Sequence, residues 1–154
     1  MKILYLCIAL LWSTYCLAGD LPDPRITPGA IDHHITQANI QQTVCQKGYT
    51  KTVRPPAYFT NKLKKSQIRR YGYPDQDPRH YEEDHLIPLN IGGAPDDPRN
   101  LWPQARNSQW NAARKDDLEF KLYKQVCEGR VSLVDAQKVY TTDWIAGYKK
   151  YVSW

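Results

Sequence analysis

Residues 82–87 and 99–102 read as short strands, and Asn90-Ile91-Gly92-Gly93-Ala94-Pro95-Asp96-Asp97-Pro98, turn chemistry throughout, lies between them. Breakers at that density leave room for a short two-stranded hairpin and nothing longer. A long helix is predicted next, over 108–128. Leu118, Leu122 and Val126 recur there at four-residue spacing, and Gly129 ends the run. The fold class is therefore α+β: a short two-stranded hairpin plus a long helix, surrounded by additional helices.

The flanks are read in the same way. Residues 20–32, rich in Pro, Gly and Asp, are expected as an extended surface arm. Ile31, Ile35, Ala38, Ile40 and Val44 suggest a short helix ending near Cys45, capped by Asp32 or Thr36. Tyr49-Thr50-Lys51-Thr52-Val53 alternates like a strand, stopped by Pro55-Pro56. Thr60 is expected to cap a helix through Tyr71, with Gly72 as its stop and a loop over 73–79. Ser132 and Asp135 form a capping-box-like start for a last helix with Leu133, Ala136, Val139, Tyr140, Trp144 and Tyr148 on its apolar side. No internal repeat, low-complexity tract or interior linker is found, so residues 19–154 are expected as one domain.

Residues 1–18 carry Lys2, an apolar run from Ile3 to Trp12 and a small-residue exit at Ala18. This is the layout of a cleaved signal peptide, too short for a stable membrane anchor. Export to the periplasm or the medium follows, with no stable membrane association afterwards. Cleavage removes Cys7 and Cys16 and leaves Cys45 and Cys127, an even pair expected as a disulfide in an exported chain. The formal net charge is +5, from 21 Lys and Arg against 16 Asp and Glu. A basic balance suits a polyanionic partner. Its distribution adds to that, because Lys62, Lys64, Lys65, Arg69 and Arg70 cluster, and Arg79, Arg99, Arg106, Arg114 and Lys115 flank the hairpin.

Within the hairpin, Asp84-His85-Leu86-Ile87-Pro88 places a carboxylate directly before an imidazole, and Asn100 follows 15 residues after His85. Phosphodiester hydrolysis needs an activated water, a stabilised phosphoryl group and a neutralised leaving oxygen. Imidazole, with an ordinary pKa near 6.5, accepts the water proton near neutral pH. A hard cation such as Mg²⁺ takes oxygen ligands and keeps several waters, so one carboxylate and one amide oxygen suffice beside phosphate. Neighbours in a strand point to opposite faces, so Asp84 and His85 share a site only where the strand ends or kinks.

These residues resemble the ββα-metal (His-Me finger) nucleases, the superfamily that includes HNH endonucleases and secreted non-specific nucleases. In exported members a Glu-His followed by two apolar residues and Pro gives the metal carboxylate and the general base, which Asp84-His85-Leu86-Ile87-Pro88 resembles. The second-strand pattern Asn-Leu/Ile-x-Pro-Gln is similar to Asn100-Leu101-Trp102-Pro103-Gln104. The resemblance covers residues 81–120 and implies a small ββα-metal core. It implies His85 as base, Asn100 as the residue that holds the His85 segment across the loop, and Asp84 as metal ligand. The family's helix Asn usually lies nine residues after the strand Asn, and here that position is Gln109. Asn107 and Asn111 stand two residues to either side. Asn111 is favoured as the second metal ligand, because Leu118-Glu119 follow it at the family's spacing of seven and eight residues. Glu119 then orients a metal-bound water or a basic side chain, or is an exposed helix Glu. No second helix histidine is present, which makes this a His-Asn-Asn variant.

The resemblance further implies one divalent metal, Mg²⁺ first and Mn²⁺ or Ca²⁺ as substitutes. The substrate implied is DNA, and RNA as a second class. Arg99, Arg106, Arg114 and Lys115 are the expected phosphate-binding groups, and a monomer is expected. His33-His34 lack partners at metal-ligand spacing, and His80 is placed on the surface or near phosphate. Trp102, Trp110 and Trp144 either stack bases or pack the core. Nothing resembles a base-reading module, so backbone recognition with little sequence preference is expected. The alternative is a catalytically inactive, nuclease-derived module that binds nucleic acid or another anionic polymer.

Overall fold

The computed structural model describes residues 19–152, so residues 1–18, expected as a signal peptide, lie outside the described residues. Four helices are found there, α1 (Tyr49–Val53), α2 (Ala57–Arg70), α3 (Ala112–Cys127) and α4 (Leu133–Tyr151). Strands β1 (Tyr81–His85) and β2 (Leu101–Ala105) form one antiparallel hairpin, in register from Tyr81↔Ala105 to His85↔Leu101. The architecture is α+β. Among the described residues no helix is long and apolar enough to cross a membrane.

Helices α3 and α4 pack together through Leu118, Leu122, Val126, Leu133, Ala136, Tyr140 and Trp144, and all seven are buried. Trp102, Leu86, Ile87 and Ile91 from the hairpin and its loop complete this core, with Ile35, Ile40 and Val44. A smaller cluster of Ile68, Tyr73 and Tyr81 joins α2 to the hairpin. The Gln67 amide, also buried, donates from α2 to the carbonyls of Leu101 (2.8 Å) and Pro98 (3.1 Å). The hairpin is thus held between α2 and the α3–α4 pair. Cys45 and Cys127 are disulfide-bonded, with Cα atoms 5.6 Å apart, and the bond ties the N-terminal segment to the last turn of α3. Cross-linking over 82 residues constrains the unfolded chain by about 4–5 kcal/mol in the entropy model.

Several sequence expectations shift. The strand-like run 49–53 is helix α1, begun at Gly48 (φ 88°) and followed by Pro55-Pro56. Its β-branched residues meet no partner strand, and β propensity is expressed only against one. The helix expected over 31–45 is a series of turns with one short 3₁₀ segment, Ile40–Gln42. Asp32 accepts from His34 N, an Asx turn that draws the backbone away from a helix. The arm before it is stitched to the hairpin loop through Gly29 N→Arg99 O, Asp32 N→Gly92 O and Ala94 N→Ala30 O, and Thr27 in it is buried. Helix α2 starts at Ala57 after Pro56, and Thr60 lies inside it, bonding back to Ala57 O. Helix α3 starts later than expected because Asn111, rather than a residue near Ser108, supplies the N-cap. In α4, Ser132 accepts from Asp135 N, the cap that was expected, while Asp143 takes an extended conformation and recaps the helix through Ile145 N and Ala146 N.

Candidate active site

The site grows from the point where the ladder runs out. Strand β1 ends at His85, and the chain beyond it is held by Asn100, which is fully buried. Asn100 Oδ1 accepts from Ile87 N (2.9 Å), and Nδ2 donates to the carbonyls of Ile87 and Ala94 (3.0 Å each). Its backbone carbonyl accepts from Leu86 N at 2.7 Å. One amide therefore clamps both sides of the loop. The loop closes tightly enough that a Cβ at Gly93 would collide with the Ile87 carbonyl, so only glycine fits there.

This clamp sets the geometry of His85, which is 5% exposed. Its Nε2 lies 2.8 Å from the carbonyl oxygen of Pro95, on the far side of the loop. A carbonyl only accepts, so Nε2 carries the hydrogen and Nδ1 keeps the lone pair of the neutral ring. Burial pushes the His85 pKa below its ordinary value. The Pro95 carbonyl and Asp84 oppose that shift, and Lys115 and Arg54 add to it. Burial therefore favours the neutral ring. A groove of about 320 Å³ adjoins it through Pro95, with Arg54, Pro55, Phe59 and the exposed Tyr58 in its walls. The two larger hollows, about 480 and 520 Å³, are lined by neither His85 nor Asp84.

Asp84 points to the other side of β1, toward α3. Its Oδ1 accepts from His85 N at 2.8 Å, and its Oδ2 lies 2.8 Å from Lys115 Nζ. That last contact is an ion pair whose angles fall short of a hydrogen bond, and both atoms are buried. Lys115 was expected among the phosphate-binding groups, but it is fully buried, with Nζ also 5.3 Å from the centre of the Tyr140 ring. Asn111, Lys115 and Glu119 recur at four-residue spacing and so share one face of the helix. Burial raises the Glu119 carboxyl to about 7; Lys115 opposes the shift, while Asp84 and Asp116 add to it. Burial also raises Asp116, and it raises Tyr140 well above the ordinary phenol range, with Glu119 contributing. These groups, together with Asp84, form one electrostatic cluster, buried at Lys115 and Tyr140 and reaching the surface at Asp116.

Asn111 sits at the N-terminus of that face, where Oδ1 accepts from Arg114 N at 3.2 Å. One lone pair of this oxygen is thereby committed to the helix cap. Asn107 is exposed, in the bend before α3. Each expected phosphate-binding arginine has a partner. Arg99 closes on Asp97 (2.6 Å) in an Asp-Pro-Arg turn that recurs at Asp23-Pro24-Arg25 and Asp77-Pro78-Arg79. Arg106 pairs with Glu82 (2.9 Å) and donates to the Tyr81 carbonyl. Arg114 lies over Trp110 (5.2 Å) and Tyr148 (5.7 Å), and Lys149 lies over Trp110 (5.4 Å). Trp102 and Trp144 are buried in the core, while Trp110 is partly buried beneath these cations. His34 pairs with Asp32 and His80 with Asp75, both at the surface.

Among the described residues no group of three or more His, Cys, Asp or Glu side chains is arranged to hold a metal. The oxygens that the sequence offers are sparser, the Asp84 carboxylate on β1 and the Asn111 amide at the start of α3, with Glu119 farther along the helix face that Asn111 begins. They are hard oxygens, which suits a Mg²⁺-like ion that keeps waters. Asp84 Oδ2, buried without a hydrogen bond, has the character of a cation ligand. Comparison of the chain with protein-family models, with curated proteins and with solved structures yields no match in any of the three.

Proposed function

We propose that the chain is an exported, metal-dependent endonuclease of the ββα-metal type, acting on nucleic acid with little sequence preference, DNA first. The observation that carries this reading is the tautomer of His85. Its Nε2 is tied to the Pro95 carbonyl, which leaves Nδ1 as a base beside an acidic cluster and several cations. Nδ1 takes the proton of the attacking water. The resulting imidazolium keeps its bond to Pro95 and gains from the nearby Asp84 charge. Asn100 holds the ring's segment still. Arg54, Arg106 and Arg114 provide cations near the hairpin for flanking phosphates. Asp84 and Asn111 are the residues that would hold a divalent ion, whose chemistry there is charge neutralisation at the phosphoryl and leaving oxygens. The Cys45–Cys127 disulfide fits export, since such bonds persist outside the reducing cytosol.

Plasmid digestion tests the proposal. Nicking and cutting are expected with Mg²⁺ or Mn²⁺ and should stop on chelation. Cleavage that ignores chelator would overturn the metal requirement. The Lys115–Asp84 pair favours one other reading, a module that binds nucleic acid without cutting it, because an ammonium already satisfies the carboxylate. Binding in a gel-shift assay with no cleavage under any divalent ion would select that second reading.

A further inference from the structure

Lys115 is costly where it stands. It occupies the line of Leu118, Leu122 and Val126, where an apolar side chain would pack without charge, and its side chain is fully buried. A buried ion pair is a poor stabiliser beside apolar packing of similar volume. The ammonium is nevertheless well placed chemically. It touches Asp84 Oδ2, faces the Tyr140 ring, and its charge is felt by Glu119, Asp116 and His85.

We infer that Lys115 is the resident cation of this site: its ammonium holds Asp84 in place until a divalent metal displaces it. The inference rests on the reading of Asp84 as metal ligand. Were a Mg²⁺-sized ion to take Oδ2, it would come within roughly 5 Å of an ammonium that keeps its own 2.8 Å contact. Two cations at that separation in a poorly hydrated site repel strongly. The metal and Lys115 therefore compete for one oxygen. A flexible four-carbon stem lets the displaced ammonium move. Asp116, on the same helix and exposed, offers it a second carboxylate nearer to solvent. The competition sets how tightly the site takes metal, and it keeps Asp84 neutralised and correctly aimed without one.

The test is calorimetric titration of the disulfide-bonded protein with Mn²⁺, comparing wild type, Lys115→Met and Asp84→Asn. Methionine keeps the unbranched apolar stem and removes the charge. Lys115→Met should bind Mn²⁺ about tenfold more tightly or better, and Asp84→Asn should lose binding. Unchanged or weaker affinity in Lys115→Met, with binding still lost in Asp84→Asn, overturns the inference and leaves Asp84 as the ligand. Binding that survives Asp84→Asn overturns both. A second measurement needs no variant. Acylation of lysine amines by an activated ester, read by mass spectrometry, should find Lys115 protected in chelator and labelled at saturating Mn²⁺. Protection that persists at saturation overturns displacement, and this result decides the matter if circular dichroism finds Lys115→Met unfolded.

Discussion

The hairpin loop and the facing side of α3 both bury polar groups, and they do so in opposite ways. In the loop, Asn100 is neutral and places its amide oxygen and both amide hydrogens in bonds of about 3 Å. On α3, Lys115 and Asp84 are charged, close and imperfectly bonded, and Glu119 is held near the edge of ionisation. A satisfied neutral network fixes a backbone and does little else. A charged cluster short of partners is poor for stability but can exchange a proton, a metal or a phosphate. The two regions meet at Asp84-His85, where β1 passes from one to the other.

The contrast is most easily broken at Asn100. Replacing it with Ala strands the Ile87 N–H and the carbonyls of Ile87 and Ala94 in a buried loop. A loss of roughly 3–5 kcal/mol is expected in urea unfolding. A loss under 1 kcal/mol would mean the loop is held by something else. His85→Ala should show the reverse pattern, with cleavage falling about a hundredfold or more while unfolding changes little. In the wild type, the acid limb of the rate profile should lie below pH 6.5, because burial lowers the His85 pKa. An acid limb above that value would mean that another group supplies the base.

How far the sequence foretold these two regions follows from the same physics. The loop was legible because its determinants are local: glycines, prolines and an asparagine at the strand end act on their own backbone. The strands were found, but displaced by up to three residues, since turn residues mark where pairing stops and say little about register. Residues 49–53 alternate like a strand yet form α1, because among the described residues no strand is there to pair with them, and pairing is not a local property. The cluster on α3 was half legible. Lys115 stands in the apolar stripe that marks the buried side, which was itself a signal, but the reading by charge placed it outside. Arg54, whose charge acts on His85, and Tyr140, on which Glu119 and Asp84 act, come from segments far apart in sequence, and no local pattern announces them.

Glu83 sharpens the comparison, because it adjoins Asp84 in β1 yet has no ammonium on it. Both its carboxylate oxygens are buried without a hydrogen bond, and burial raises its pKa to about 8, with Asp84 adding to the shift and Lys64 opposing it. The folded state therefore holds a proton that the unfolded state releases between the ordinary 4.5 and about 8. Stability contributed by the protonated form is present below 4.5 and falls as pH rises through that window. Glu83→Gln should add about 4 kcal/mol near pH 8–9 and almost nothing at pH 4. Thermal unfolding at the two pH values measures it, and equal effects at both would show that folding leaves the Glu83 pKa where it is in the unfolded chain.

The smallest expected effect separates two duties of Asn111. As N-cap its oxygen accepts from Arg114 N, and removing such a cap costs about 1 kcal/mol. As metal ligand it supplies a neutral oxygen. Asn111→Asp keeps a good cap and adds a charge that favours both the helix N-terminus and a divalent ion. Asn111→Ala removes both functions, and Asn107→Ala, in the exposed bend, should alter neither. The expected order of cleavage rates at limiting Mg²⁺ places Asn107→Ala and Asn111→Asp near wild type and Asn111→Ala well below. Unfolding should find only Asn111→Ala weakened, and only by the cap. If Asn107→Ala proves the more damaging to cleavage while stability holds, the ligand lies in the bend before α3. The face carrying Lys115 and Glu119 would then border the metal through Asp84 alone.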